Sequence, residues 1–415
     1  MSASSENIAT NQSALQGANA RNDKRFVAKS DVTFEPISGT EWDEASDDKK
    51  FVTKVDVSLE HISGEEWDEA LASFDGVCQE QLFTFSKNRW PSVVCEPLLF
   101  RDKDGVVGGV LILIQPLPMG VGAVAVSKWG PLLKDVKRAD GDAIYVAMVE
   151  ALIEEYGRKR SMMISVLPGI SYEPDNNAFD YLISRGFREG SQFLFPDRYV
   201  VNLRLSDEDQ RKSFAQKWRY HLNKSMKEDL EFEHAAPERL EEFDTLYQSM
   251  TDRKKFADHS AYDDTITPLM EMADDYLRPE LFFVRHEGEL VAGALIFKAG
   301  DTAVYLYGAT NDRALPLRAG YFLHWNIIRW LRDNTKATWY DLGGTDGFQG
   351  LHQFKKGMVG DAGIISPVPP MANYAVKFWP FLVGSLAFTA RDSITWLRRL
   401  IEKIRLDMAR PNQGR

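Results

Sequence analysis

The chain has 415 residues, 44% of them hydrophobic and 12% aromatic, with ten Trp. That is enough apolar material for packed cores, too much for a wholly disordered protein, and too long a chain for one comfortable core, so two domains plus extensions are expected. A net charge of −11 with Cys78 and Cys95 as the two cysteines excludes a generally nucleic-acid-coating surface, a disulfide framework and a cysteine metal cluster.

The opening stretch "MSASSENIATNQSALQGANARNDKRF" is small and polar and lacks the apolar run of a secretory signal, which sets a cytoplasmic expectation with both thiols reduced. Charge is uneven: residues 31–75 carry 14 acidic and 3 basic side chains, whereas residues 366–415 carry 8 basic and 3 acidic ones. Residues 26–50 are then repeated as residues 51–75, sharing Ile37-Ser38-Gly39 with Ile62-Ser63-Gly64 and Glu41–Ala45 with Glu66–Ala70. Two copies are too few for a solenoid. The second copy reads as a strand, an N-cap at Ser63 with Glu66 three residues on, and a helix with Trp67, Ala70, Leu71 and Phe74 on one side. In the first copy Ser46 and Lys49 stand where Leu71 and Phe74 stand in the second, so residues 1–50 are expected to be an acidic, disordered extension.

From Cys78 onward the pattern is α/β. Runs 96–102, 106–117 and 121–133 form a strand meander, a helix spans 142–158, a strand follows in "SMMISVLPG", a helix in "NNAFDYLISRGF" stops at Gly186, and "DRYVVNLRL" is a strand. A charged amphipathic helix over 207–228 has Phe214, Trp218 and Leu222 on one side. Helices near 238–251 and 262–273 then precede three antiparallel strands with turns at 286–289 and 299–301, followed by helix "LRAGYFLHWNIIRWLRDN", strand "ATWYDLGG" and helix "QGLHQFKKG". Two mixed-sheet modules of similar plan are expected, at 51–205 and 206–370, with a tail at 371–415. Residues 374–390 are apolar but include Lys377 and Pro380 and sit at the short limit for a membrane span. Beyond them Ile394, Leu397, Ile401 and Ile404 face away from Arg398, Arg399, Lys403 and Arg405, the pattern of a basic amphipathic helix. Such a helix suits either an anionic membrane surface or a groove on the first module.

The stretches "YLYGA", "YDLGGTD" and "FKKG", in this order and spacing, resemble the second domain of Fem-type aminoacyltransferases, which build peptidoglycan cross-bridges from two domains of the GNAT acyltransferase fold. "KWRYHLNKSMKEDLEF" is similar to the basic helix that opens that domain, and "VAVSKWGPLL" to a first-domain strand ending in Gly-Pro. The resemblance covers about residues 51–370 and implies an α/β fold of mixed sheets in two tandem GNAT-like domains, without the long helical arm of some members. It further implies a monomer that takes an amino acid from aminoacyl-tRNA and places it on the stem-peptide amine of a nucleotide- or lipid-linked peptidoglycan precursor.

The turn "NDRALPLRAGY" contains a single Gly320 and also Pro316, a poor cradle for the pyrophosphate of an acyl-CoA, and no cofactor or metal is expected. An aminoacyl ester is already activated, so alignment and oxyanion stabilisation suffice and no nucleophilic side chain is required. The resemblance assigns Lys355 as the catalytic residue, with Phe354 and Lys356 beside it on the donor. It assigns Arg219 and Lys224 to the acceptor diphosphate, Lys87 and Arg89 to first-domain acceptor contacts, and Asp341, Gly343 and Gly344 to a strand-end loop; Tyr305 and Tyr307, which alternate with buried positions, are counted with the acceptor contacts, one of them facing the cleft and one core. Plain structural roles stay open at each: Lys355 and Lys356 as helix C-terminal charges, Phe354 as core, Asp341 and the glycines as turn formers, Arg219 as a solvated face. Two other functions remain, an N-acyltransferase using acyl-CoA or an acyl carrier on a polysaccharide or small amine, and a non-catalytic envelope scaffold.

Overall fold

The structure, a computed structural model, describes residues 55–254 and 260–409. The first copy of the repeat lies outside the described residues. The second copy gives strand Ser58–His61 (β1) and helix Gly64–Leu71 (α1). The Ser63 hydroxyl accepts from the Glu66 N–H at 3.2 Å and the Glu66 carboxylate accepts from the Ser63 N–H at 2.8 Å, a reciprocal capping box that fixes where the helix starts. Trp67, Leu71 and Phe74 are buried, so the apolar spacing that distinguishes this copy is the spacing that anchors it.

Phe83–Arg89 (α2) leads into the meander Val94–Asp102 (β2), Gly105–Pro116 (β3) and Ala123–Lys128 (β4), with the short Leu132–Leu133 (β5) also on β3. Gly141–Leu152 (α3) continues as a π-helix over Ile153–Lys159. Met163–Leu167 (β6) pairs parallel with β4, and Asn177–Ser184 (α4) ends before Gly186, whose φ of +96° suits a residue without a Cβ, followed by Arg188–Glu189 (β7).

The second half runs through Asp197–Asn202 (β8), Asp207–Ser213 (α5), Gln216–Ser225 (α6), Leu230–Ala235 (β9), Leu240–Lys254 (α7) and Ser260–Met270 (α8). The hairpins Glu280–His286 (β10), Glu289–Ala299 (β11) and Thr302–Thr310 (β12) follow, then one turn Ala314–Leu317 (α9), Ala319–Asn334 (α10), Trp339–Asp341 (β13) and Gln349–Val359 (α11). Ile364–Pro367 (β14), Ala372–Tyr374 (β15) and the 32-residue helix Phe378–Ala409 (α12) end the described chain. α6 passes straight into β9, with no long helical arm.

The single helix expected over 207–228 is two. Phe214 takes extended angles between α5 and α6, buries its ring 4.2 Å from that of Trp218, and the Arg219 guanidinium binds the freed carbonyls of Lys212 and Phe214. Burying Phe214 and Trp218 together outweighs helix continuity, because the orphaned carbonyls find a charged donor.

Two mixed sheets of one plan result. In the first the order is β1-β2-β3-β4-β6-β15-β7; in the second it is β14-β8-β13-β12-β11-β10-β9. Each sheet has one parallel pair, β4 with β6 and β12 with β13. The modules exchange strands. β8, expected to close the first module, lies between β13 and β14, and β15, expected in the tail, lies between β6 and β7. The change of sheet therefore comes before Asp197 rather than at residue 205, and residues 372–374 belong to the first sheet rather than to a tail.

One buried cluster joins the modules, with Trp67, Leu71 and Phe74 from the first and Leu269, Leu277, Phe297, Ala299 and Val304 from the second. The junction is close enough to require glycine: Gly300 has φ +49°, and a Cβ there would sit 1.8 Å from the Phe74 carbonyl oxygen.

Candidate functional site

The two parallel pairs differ in how far they hold together. β4 and β6 stay paired over five positions to Lys128 and Leu167. β12 and β13 pair only from Thr302/Trp339 to Val304/Asp341, although β12 runs on to Thr310. The cause is visible in the register with β11, where Leu295 faces Tyr307 and Ile296 faces Tyr305, leaving Leu306 as an inserted residue. Such a bulge bends and twists its strand, and here it carries β12 away from β13 and opens a split in the sheet.

The bulge also changes what the two tyrosines do. Strict alternation would put Tyr305 and Tyr307 on one face. Instead Tyr305 packs against the α6–α10 side of the sheet, and Tyr307 against α7 and α8, where its hydroxyl lies 3.3 Å from that of Thr265.

At the apex of the split the Lys355 ammonium, carried by α11, donates to the carbonyls of Leu342 and Gly344 just past β13. It lies 5.9 Å from the Tyr305 ring centre. Burial pushes its pKa down to about 8, with Asp341 pulling the other way. Gly343 has φ +71° and donates its N–H to Asp341 at 2.7 Å, which curls the strand end so that its carbonyls face the lysine. Asp341 is buried against Arg198 of β8, whose guanidinium also covers the Trp129 ring at 4.9 Å.

Beside Lys355 lie two residues that sequence reading missed, His324 and Tyr340. His324 of α10 is buried, its ring 4.9 Å from Tyr305, and its Nδ1 is 3.1 Å from the Tyr340 hydroxyl. Burial, aided by Lys355, drives its pKa to about 3, so the ring is neutral at physiological pH. Phe354 fills the space between Tyr321, His324 and Trp218, at ring separations of 4.9, 5.5 and 6.2 Å. A His and a Tyr inside otherwise apolar runs, "FLHWN" and "TWYDL", were the available signals.

On the helix side of the sheet, α10 begins with Arg318 at φ +58° and no side chain capping its first turn. Around that turn three buried polar atoms have no hydrogen-bond partner: Trp218 Nε1, His221 Nδ1 and Arg318 Nε. Lys217, His221 and Lys224 share one face of α6 by their spacing. Burial lowers the His221 pKa, and Arg318, Lys217 and Lys224 add to the effect, which places three cations around one ring. A free helix N-terminus with donors and cations is a site for an anion.

On the opposite face the split meets the first module. Lys128 bonds Glu80 at 2.9 Å and lies 4.2 Å from the Trp90 ring centre, and the Trp129 N–H donates to the same carboxylate at 2.6 Å. Burial disfavours the Glu80 charge, but Lys128 and Trp129 outweigh it and hold its pKa below the usual carboxylate range. Lys128 and Trp129 belong to "VAVSKWGPLL", quoted from the sequence only for its Gly-Pro.

The structure thus brings Lys355, Phe354, Tyr305, Asp341, Gly343 and Gly344 together. Tyr307 lies across the sheet, and Arg89 reaches that side by pairing with Asp264 at 3.1 Å. Lys87 and Lys356 are exposed on their helices. Arg219 is committed to the carbonyls of Lys212 and Phe214 at the break between α5 and α6, while Lys224 joins the cations at the start of α10.

Residues 209–356 match the family model described as an acetyltransferase (GNAT) domain. A lipid II:glycine glycyltransferase of Staphylococcus epidermidis is 29% identical over 122 residues, 29% of this chain and 27% of that protein. Its Staphylococcus aureus counterpart is 34% identical over 77 residues, 17% of this chain and 18% of that one. The chain spans about a quarter of the length of the first of these curated relatives. Among solved structures, FemX superposes with a TM-score of 0.62 at 17% identity, covering 77% of this chain and 97% of FemX, and a Bacteroides thetaiotaomicron protein of unknown function with 0.51 at 13%, covering 76% and 97%. The resemblance to the Fem-type family is borne out, and the fold is a tandem pair of GNAT-like domains in mixed α/β sheets.

Proposed function

We propose that this chain is an acyltransferase that moves an aminoacyl group from aminoacyl-tRNA to the stem-peptide amine of a peptidoglycan precursor in the cytoplasm. The observation that carries the reading is the split between β12 and β13, with an anion-ready helix start on one face, the inter-module surface on the other, and the Lys355 ammonium at the apex. In this reading the donor's terminal phosphates sit at the start of α10, among Arg318, Trp218, His221, Lys217 and Lys224. The acceptor enters from the side of Lys128, Arg89 and Tyr307, and its amine meets the ester at the split. Lys224 is thereby assigned to the donor rather than to the acceptor diphosphate.

The chemistry asks little of the protein. The amine attacks the ester carbonyl and forms the C–N bond, negative charge grows on the carbonyl oxygen, and the ester C–O bond then breaks as the amine's proton passes to the departing ribose oxygen, which leaves as the hydroxyl. An ammonium has three hydrogens, and two of those on Lys355 are held by Leu342 and Gly344. The third is available to the developing oxyanion, in a buried position where such an interaction is strong. With a pKa of about 8 the lysine is mostly charged at neutral pH, as this role requires. Neutral His324 and Tyr305 wall the position and exclude water.

The unpartnered donors at the start of α10 equally suit a pyrophosphate, so an acyl-CoA donor is the second reading. Titration of the protein with acetyl-CoA and with an aminoacylated acceptor-stem minihelix separates the two. The proposal expects saturable, salt-sensitive binding of the minihelix; saturable acetyl-CoA binding at micromolar levels with no minihelix binding would refute it.

A further inference from the structure

α12 has two apolar faces, and the protein uses one. Its inner face, through Phe381 and Phe388, packs on Leu117, Val124 and Met163 of the first module. Contact there is tight enough that a Cβ on Gly384 would come within 2.6 Å of the Met163 side chain. The outer face exposes Trp379 at 62%, Leu386 at 59%, Ile394 at 53% and Leu397 at 50%. Spacings of seven and eleven residues return to the same side of a helix, so Trp379, Leu386 and Leu397 form one stripe with Ile394 at its edge. Phe378 and Val376 extend the exposed apolar surface at its start. A helix that only docks on its own domain needs a single apolar face, and a contiguous outward one marks an interaction surface.

We infer that this outward stripe is a docking surface for an anionic lipid bilayer. Charge selects the occupant. In a chain of net charge −11, residues 366–415 hold 8 basic and 3 acidic side chains, so α12 belongs to the basic end of the protein. An apolar stripe beginning in Trp and Phe, on a helix of a basic segment that is too polar to cross a membrane, has the make-up of an interfacial helix that rests in the headgroup region. Among the described residues no helix is long and apolar enough to span. Apolar insertion and attraction to acidic headgroups supply the two signals that stable but reversible anchoring needs. The inference stands on α12 alone and does not depend on the proposed reaction.

The test is co-sedimentation of the full chain with vesicles of phosphatidylcholine alone and of phosphatidylcholine with phosphatidylglycerol. Binding is expected to the acidic vesicles, to fall as salt rises, and to be weak on the neutral ones. The double variant Trp379→Ser/Leu386→Ser, both outward and solvent-exposed, should melt like the parent and partition roughly tenfold more weakly. Equal partitioning of parent and variant, or no binding to acidic vesicles at low salt, overturns the inference. So does sedimentation of the free parent as a dimer that these substitutions dissociate, which would make a second copy the occupant.

Discussion

Substituting Lys355→Met keeps an unbranched stem in the buried site and removes the ammonium, and two opposing effects can be weighed. Lys355 titrates at about 8 in the fold against an ordinary value of 10.5, so holding the charge buried at pH 7 weakens the fold by about 3 kcal/mol, which the substitution relieves. Against this, the carbonyls of Leu342 and Gly344 lose a charged donor, at about 1.5–3 kcal/mol each. The variant should therefore fold, with stability at pH 7 lower by about 0–3 kcal/mol. The folded pKa lies below the unfolded one, so the folded parent binds fewer protons between about 8 and 10.5 and its stability rises across that window. The variant lacks that rise, so the gap in its disfavour should widen by about 2 kcal/mol between pH 7 and about pH 9.5. Guanidinium unfolding of both proteins at the two pH values measures it. Transfer activity of the folded variant should fall by roughly 10²–10³. A gap that does not change with pH refutes the buried charge, and activity within a few-fold of the parent refutes its role at the oxyanion.

Arg198→Met leaves the buried Asp341 carboxylate without its partner and should destabilise by about 3–5 kcal/mol in chemical denaturation; a change below about 1 kcal/mol would mean the pair is not buried as described. Gly300→Ala meets both a positive φ and the Phe74 carbonyl, so the inter-module junction must part and calorimetry should show a loss of about 2 kcal/mol or more. The ring of His324, with its pKa driven to about 3 by burial, should show no titration by NMR between about pH 5 and about pH 8, whereas a midpoint near about 6.5 would place it in water.

Local chemistry was legible in the sequence and non-local pairing was not. The box at Ser63 and Glu66, the turns of the hairpins, and the helix carrying Lys355 depend on neighbours within a few residues, and they stand where spacing put them. β8 also read as a strand, but which sheet it joins depends on partners far along the chain, and the three-residue β15 was read as tail because nothing local marks it as a strand. Nothing in "DRYVVNLRL" distinguishes the first sheet from the second, so the module boundary was misplaced. The inserted Leu306 was equally silent, because "YLYGA" has the period of an unbroken strand; the bulge shows only in the register against β11, and it sends the two tyrosines to opposite faces. Asp341 was singled out only as part of a strand-end turn and Arg198 not at all, because their burial as an ion pair depends on β8 meeting β13. Arg219 was matched by its place on a basic helix, but the break at Phe214 created two open carbonyls that claim it.

The most direct test of the account is mass spectrometry of nucleotide-linked and lipid-linked peptidoglycan precursors after incubation with the protein and a mixture of charged tRNAs. The account predicts a gain of one aminoacyl residue on the stem-peptide amine, lost when the tRNAs are digested beforehand and lost with Lys355→Met. No gain from any charged tRNA, together with acyl transfer from acetyl-CoA by the same preparation, would contradict it.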